Sequence, residues 1–301
     1  MSLPAHSAPL KGLYDLPAPA KLNLFLHVVG RRSDGYHQLQ SVFMLLDWCD
    51  RLHLELRRDG GISREDLSPG ELPAQDLTVR AAHALRQASG CSLGVHIGLE
   101  KHLPAQAGLG GGSSDAATCL LALNRLWGLG WTRQQLAALG LQLGADLPFF
   151  IGGNNAWVEG VGERLTPLQL ACARFLVVKP PTGASTKDIF SAPDLKRDTK
   201  PARIQGFAAI DEQPESPSQI QSILNFGQND LQAVVQHLCP DMAQCLNWLQ
   251  SHGLQGRMTG SGTAVFALAQ SAPLPTDAPA NWTVHECSNM DAHPLRDWCC
   301  G

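Results

Sequence analysis

Between residues 18 and 29 the chain alternates around Leu22, Leu24, Leu26 and Val28, the period-two pattern of a strand with one apolar face. The run ends at Gly30, and Arg32-Ser33-Asp34-Gly35 has the composition of a hairpin turn. A second strand is predicted over residues 38–46 and a third over 51–56, followed by a loop rich in Gly, Pro and acids at 59–75. Leu77, Ala81, Ala84 and Leu85 recur at helical spacing, and residues 95–99 form a short strand leading into the segment 104–115. Helices are predicted over 115–127 and from Thr132, an N-cap type, through 143. Strands follow at 156–161 and 175–178. Residues 191–217 turn to Pro, Lys, Asp and Gln and read as a long surface connection. An amphipathic helix spans 231–249, with Pro240 as a point of interruption, and a buried strand at 263–269 follows Thr259-Gly260-Ser261-Gly262. No internal repeat is visible, and the change of pattern places a domain boundary near residue 160, dividing the chain into 1–160 and 161–301.

Composition narrows the class. A chain of 301 residues, 44% apolar, buries about three quarters of its unfolded surface and needs no disulfides to stay folded. With 23 basic against 27 acidic residues the net charge is −4, which argues against a general nucleic-acid binder. No apolar run approaches the roughly 20 residues that span a bilayer. The Pro-rich start, 1–16, has no apolar stretch of the signal-peptide kind. Nine cysteines, with no Cys-x-x-Cys pair, fit a reduced cytoplasm, with Cys119, Cys172 and Cys245 reading as small core residues. The expectation is a cytoplasmic protein without nucleic-acid or membrane partners.

The candidate chemistry starts at Ala107-Gly108-Leu109-Gly110-Gly111-Gly112-Ser113-Ser114-Asp115, between a strand and a helix. Clustered glycines let backbone amides face a ligand, and a helix start adds free N–H groups and a favourable dipole, so the combination suits a phosphate. Ser113 and Ser114 add hydroxyls for the phosphate or for a bound Mg²⁺; the competing reading is a plain turn in which Ser114 caps the helix. A standard P-loop is absent, and the dinucleotide fingerprint fails at Ser113. Gly90-Cys91-Ser92-Leu93-Gly94 matches the hydrolase elbow only by chance, because it precedes a strand. Lys21 and Asn23 share one face of the first strand. Asp146, in Gly144-Ala145-Asp146-Leu147-Pro148, is a lone acid in apolar surroundings that needs a cationic partner, for which Lys21 is the candidate.

Taken in order, Pro19-Ala20-Lys21-Leu22-Asn23-Leu24, the glycine segment with Leu143 to Phe149, and Met258-Thr259-Gly260-Ser261-Gly262-Thr263-Ala264 resemble the three motifs of the GHMP small-molecule kinases. The resemblance runs from about residue 14 to 268 and is weakest over 59–75 and 191–222. It implies an α+β, two-domain GHMP kinase fold: a ribosomal-protein-S5-like N-terminal domain, a ferredoxin-like C-terminal domain, and ATP and substrate meeting between them. It implies ATP with Mg²⁺ as cofactors, but no metal ligand can be named. It implies Asp146 as the acid that activates the substrate hydroxyl, with Lys21 beside it. Lys101, Pro104, Ala107, Gly108, Leu109, Gly110, Gly111, Gly112, Ser113 and Ser114 are implied on the ATP side.

Arg32-Ser33-Asp34-Gly35-Tyr36-His37 resembles the branch of the family whose substrate is a cytidine diphosphate-linked methylerythritol. On that reading Asn23, Tyr36, His37, Asp146, Thr186 and Phe190 touch the substrate, with Tyr36 and His37 holding its cytosine and Phe190 closing over the same ring. The alternatives are a homoserine- or mevalonate-type kinase, or a nucleotide sensor on the same fold, and the chain is expected as a monomer or weak homodimer. Two departures stand out. Gln106 occupies a position where the family usually has glycine, and Asp76 one where Asn is common.

Overall fold

Two long strands, β1 (Gly12–Arg31) and β2 (His37–Arg57), pair antiparallel along nearly their whole length and form the spine of the protein. The computed structural model describes residues 10–69, 76–202, 218–269 and 274–299; the expectations for 1–9, 70–75 and 203–217 lie outside them. The two strands predicted over 38–46 and 51–56 are one. Asp47-Trp48-Cys49-Asp50 interrupts the alternation, but the ladder absorbs it as a bulge, passing from Pro19↔Cys49 to Lys21↔Leu45. The bulge lies beside Lys21 and therefore helps to aim it.

Residues 51–57 of β2 also pair with β4 (Gly94–Glu100), and residues 39–43 pair with β5 (Ala156–Gly160). The sheet is completed by β3 (Ile62–Asp66), parallel to β4, and β6 (Arg164–Pro167), antiparallel to β5. Neither was predicted. β3 is Ile-Ser-Arg-Glu-Asp, a polar edge strand whose pairing supplies what its sequence lacks. Helices α1 (Leu77–Ser89), α2 (Gly111–Leu126), α3 (Arg133–Leu143) and α4 (Leu147–Gly152) share one apolar cluster with this sheet. Thr132 caps α3 in a capping box with Gln135, as its spacing predicted. Gly90 ends α1 and Gly94 opens β4, so the hydrolase-like segment is a helix-to-strand turn.

A second, antiparallel sheet has the order β10-β7-β9-β8, where β7 is Arg174–Lys179, β8 Arg257–Met258, β9 Val265–Leu268 and β10 Thr283–Ser288. With it come α5 (Thr186–Ser191), α6 (Ser218–Phe226), α7 (Gln232–Leu238) and α8 (Pro240–Ser251). The helix predicted over 231–249 is thus two helices. Cys239 leaves the helical region at φ −135°, ψ 85°, because the ring of Pro240 disfavours a helical residue before it.

β1 is buried on both faces from Ala18 to Val28, where one apolar face was expected. Leu22 and Leu24 pack with Phe175 and Phe266 of the second sheet, while Leu26 and Val28 pack with Val235 and Leu249. One strand therefore serves both halves of the molecule. The C-terminal segment also crosses over, and Leu295 and Cys299 join the cluster of the first sheet. Cys119 and Cys245 are buried as expected, but Cys172 is exposed. It alternates with buried Ala171 and Ala173 in an extended segment, which turns it outward. Among the described residues the cysteines are unpaired, and no helix is long and apolar enough to cross a membrane.

Candidate active site

The strand spacing that puts Lys21 and Asn23 on one side of β1 turns both inward. Lys21 is 3% exposed, and its Nζ donates to Asn23 Oδ1 at 2.5 Å and lies 3.6 Å from Asp146 Oδ2. The ammonium also sits 4.5 Å from the centroid of the Phe43 ring. Burial pushes the Lys21 pKa down, and the Asp146 charge acts against that push. Asn23 is held in turn: its amide donates to Ser41 Oγ at 2.9 Å, and its backbone N–H donates to Thr259 Oγ1 at 2.9 Å. The first and third motifs are thereby joined. Asp146 immediately precedes α4 but caps nothing, and with its side chain 30% exposed the carboxylate faces a cavity.

The glycine segment closes the same site. Gly108 (φ +81°) and Gly110 (φ +74°) have left-handed backbones that favour glycine. A Cβ at Gly108 would lie 2.2 Å from the Thr259 carbonyl oxygen, and one at Gly262 would lie 2.0 Å from the Gly108 nitrogen. The second and third motifs therefore meet backbone to backbone. Leu109 and Ala107 are buried, and their carbonyls accept from Lys21 N at 2.9 Å and Ala264 N at 3.2 Å.

Helix α2 begins at Gly111, four residues before the predicted 115, with Gly110 at the N-cap and no side-chain cap bond. Its opening N–H groups are left for an anion. Ser113 lines the cavity, whereas Ser114 is fully buried within the helix and is neither its cap nor a wall of the cavity.

At the start of the segment Lys101 bonds Asp50 and lies 2.6 Å from Asp115 Oδ2. Asp50 Oδ1 accepts from the backbone of His102 at 2.6 Å and Leu103 at 2.8 Å. Burial opposes the Lys101 charge, yet Asp115 and Asp50 together outweigh it and raise its pKa. The Asp115 carboxyl is pushed well up by burial and by the Asp50 charge, against the pull of Lys101. This triad pins the loop to β2 and α2; Pro104 is half-buried just beyond it. Gln106 has φ +54°, the conformation for which glycine is suited, and its side chain reaches over Gly183. Asp76 caps α1 through Val79 N at 3.0 Å and pairs with Arg64.

The cavity, about 310 Å³, is lined by Lys21, Asn23, Ser113, Asp146, Thr186 and Phe190, among others. Leu26, Leu39, Phe43 and Val158 make its apolar wall, and Gly260 and Ser261 reach it from the third motif. Thr186 Oγ1 lies 2.9 Å from Ser261 Oγ. The His37 ring stacks on Phe190 with centroids 5.0 Å apart and planes at 30°. Burial, then the charges of Arg197 and Arg31, lower the His37 pKa. Tyr36 does not line the cavity: it stands 65% exposed on the hairpin, its N–H held by Asp34 Oδ1 at 3.1 Å.

Asp50, Ser41 and Arg197 were missed by the sequence reading, and Thr259 was named only as part of the third motif. Asp50 carried a signal, as an acid interrupting an apolar strand. Arg197 carried none.

An acid–lysine pair on a cavity, bounded by a glycine turn that opens a helix, brings a carboxylate, a cation and an anion-binding helix start together. The chain belongs to the GHMP kinases: residues 76–154 match the family model "GHMP kinases N terminal domain" and residues 208–282 match "GHMP kinases C terminal". It is 61% identical over 299 residues to the 4-diphosphocytidyl-2-C-methyl-D-erythritol kinase of Polaromonas naphthalenivorans, covering 97% of this chain and 98% of that one. It is 59% identical over 295 residues to the kinase of the same name from Variovorax paradoxus, covering 96% and 99%. A solved 4-(cytidine 5'-diphospho)-2C-methyl-D-erythritol kinase is 32% identical, with a TM-score of 0.71 over 91% of this chain and 98% of that one. A homoserine kinase from Cytophaga hutchinsonii superposes at a TM-score of 0.69 with 14% identity, covering 96% and 98%, a likeness of fold alone.

Proposed function

We infer that this protein is a kinase that transfers the γ-phosphoryl group of ATP to the 2-hydroxyl of 4-(cytidine 5'-diphospho)-2-C-methyl-D-erythritol. The observation that carries the reading is the Lys21–Asp146 pair at 3.6 Å on a cavity also lined by Phe190, which stacks on His37. The curated relatives named for this activity, similar over nearly the full length, support it.

Phosphoryl transfer asks chiefly for positioning and charge stabilisation. The Asp146 carboxylate accepts the proton of the attacking tertiary hydroxyl. Lys21, oriented by Asn23, holds that carboxylate and offsets charge on the transferring group. The uncapped start of α2 and Ser113 face the phosphates of ATP. Among the described residues no group of three acidic, His or Cys side chains is placed to hold a metal. Mg²⁺ is ordinarily bound through one or two protein ligands together with substrate phosphates. Asp146 and Ser113 are the donors that fit it; when bound, the ion neutralises phosphate charge. His37, Phe190 and the exposed ring of Tyr36 supply stacking and hydrogen-bonding surface for the cytosine, with Thr186 beside them.

The reading keeps a two-unit division, 1–160 and 161–301, although β6 (Arg164–Pro167) still belongs to the first sheet and Leu295 and Cys299 return to its core; it also keeps a cytoplasmic setting and a monomer or weak homodimer. Its competitors are a homoserine- or mevalonate-type kinase and a nucleotide sensor. A sensor has no use for a lysine buried against its own charge, and neither homoserine nor mevalonate needs an aromatic base clamp. ADP release measured with each of the three acceptors tests the reading. Turnover of the cytidine compound is expected; turnover of homoserine or mevalonate in its place would sink it.

A further inference from the structure

Arg197 lies in the connection after α5 that the sequence reading left as surface chain, yet its guanidinium makes four hydrogen bonds. Nε donates to His37 Nε2 at 3.1 Å and Nη1 to the Leu195 carbonyl at 3.0 Å. Nη2 donates to the carbonyls of Phe190 at 3.2 Å and Ala192 at 2.7 Å. An arginine nitrogen donates and never accepts, so His37 Nε2 must be the lone-pair nitrogen and its proton must reside on Nδ1. The same fork grips the backbone that carries Phe190, whose ring stacks on His37 at 5.0 Å. Leu195 is buried beneath, and Thr199 N bonds the Val28 carbonyl at 3.1 Å, so the segment is tied down at both ends of the arginine.

We propose that Arg197 is a positioning residue for the base end of the substrate, fixing His37 as the neutral Nδ1–H tautomer and locking it to the backbone of Phe190. The proposal rests on the cytidine-substrate reading for its kinetic consequence, but the tautomer itself does not. Lysine cannot replace this function. One ammonium cannot hold the in-plane fork that spans an imidazole and three carbonyls. Protonation of His37 also breaks the contact, since Nε2–H can no longer accept. The charged groups facing His37 are Arg197 and Arg31, and both disfavour that protonation.

The test uses Arg197→Met, which keeps length without donors, and Arg197→Lys, which keeps charge and guards against a variant that fails to fold. In ¹⁵N-histidine NMR spectra of the full chain, wild-type His37 is expected as Nδ1–H, and both variants are expected to shift toward Nε2–H. KM for the cytidine substrate should rise about tenfold or more in both, from loss of a charged hydrogen bond, with kcat and the KM for ATP within about threefold. The acid-side rise in that KM should move to higher pH in Arg197→Met, because a charge opposing protonation is gone. An unchanged tautomer in Arg197→Met overturns the proposal, as does a shifted tautomer with unchanged KM. Should wild type turn over no cytidine substrate, the functional reading fails, while the NMR arm still decides whether Arg197 sets the tautomer.

Discussion

Replacing Asp146 by Asn keeps shape and some hydrogen bonding but removes the proton acceptor and the anion beside Lys21. The 3.6 Å separation corresponds to about 1 kcal/mol of attraction in bulk water and about 4–5 kcal/mol at an effective dielectric of about 20. With its side chain 30% exposed, Asp146 belongs toward the lower end, so the loss to folding is of order 1–2 kcal/mol. Lys21 keeps its bond to Asn23, and the variant should stay folded with a Tm lower by a few degrees. Catalysis should suffer far more. A tertiary hydroxyl is a poor nucleophile, and loss of its proton acceptor is expected to lower kcat by roughly 10²–10⁴, with both substrate dissociation constants within about threefold of wild type. Single-turnover phosphoryl transfer, run beside a melting curve, measures both. If Asp146 only anchors Lys21, the variant will lose Tm and keep most of its turnover; near-normal transfer removes Asp146 from the mechanism.

Gly110→Val is expected to abolish ATP binding by titration while the far-UV spectrum stays near native. Its Cβ would lie 2.9 Å from Phe150 Cζ and 3.1 Å from Lys21 Cγ at φ +74°, and unaltered affinity would mean that the segment is only a turn. Tyr36→Ala should leave stability within about 0.5 kcal/mol, because the ring is exposed, yet weaken the cytidine substrate by about 1–3 kcal/mol with ATP unaffected. Equal losses for both ligands refute that role. Burial, then the Arg133 charge, push the His293 pKa from 6.5 to about 3, so the unfolded chain takes up this proton first as pH falls. The associated stability is complete above about pH 6.5 and is lost toward pH 3, at about 1.4 kcal/mol per pH unit. His293→Gln should flatten that part of a urea-midpoint series between pH 6.5 and 4.5, and an unchanged slope would assign it to other groups.

Local geometry offered some of the candidate positions in the sequence, while the roles of Tyr36, His37, Phe190 and Asp146 came from the family resemblance. Alternation along β1 put Lys21 and Asn23 on one face, and clustered glycines marked a segment where backbone must approach backbone or ligand. A capping residue marked the start of α3. Gln106 stood out only as a departure from the family pattern, and the structure gives it the left-handed φ that a glycine there would adopt. Pairing between distant segments left weaker traces. The acidic break at 47–50 ended a strand on local pattern, but ladder bonds to β1 and β4 carry β2 through it and bury Asp50 beneath Lys101. β3 and β6 are too short or too polar to declare themselves and exist through their neighbours. Burial of Lys21 was undecidable from its own segment, since an isolated lysine on a strand ordinarily points to water. Only the packing of Phe43, Asp146 and the glycine segment around its side chain removes that water. Arg197 is the extreme case, because hydrogen bonds to His37, Phe190, Ala192 and Leu195 depend on where two separate segments come to rest. Local periodicity and residue type determine which groups the chain offers. Long-range packing decides which of them are dry, charged and within reach of one another.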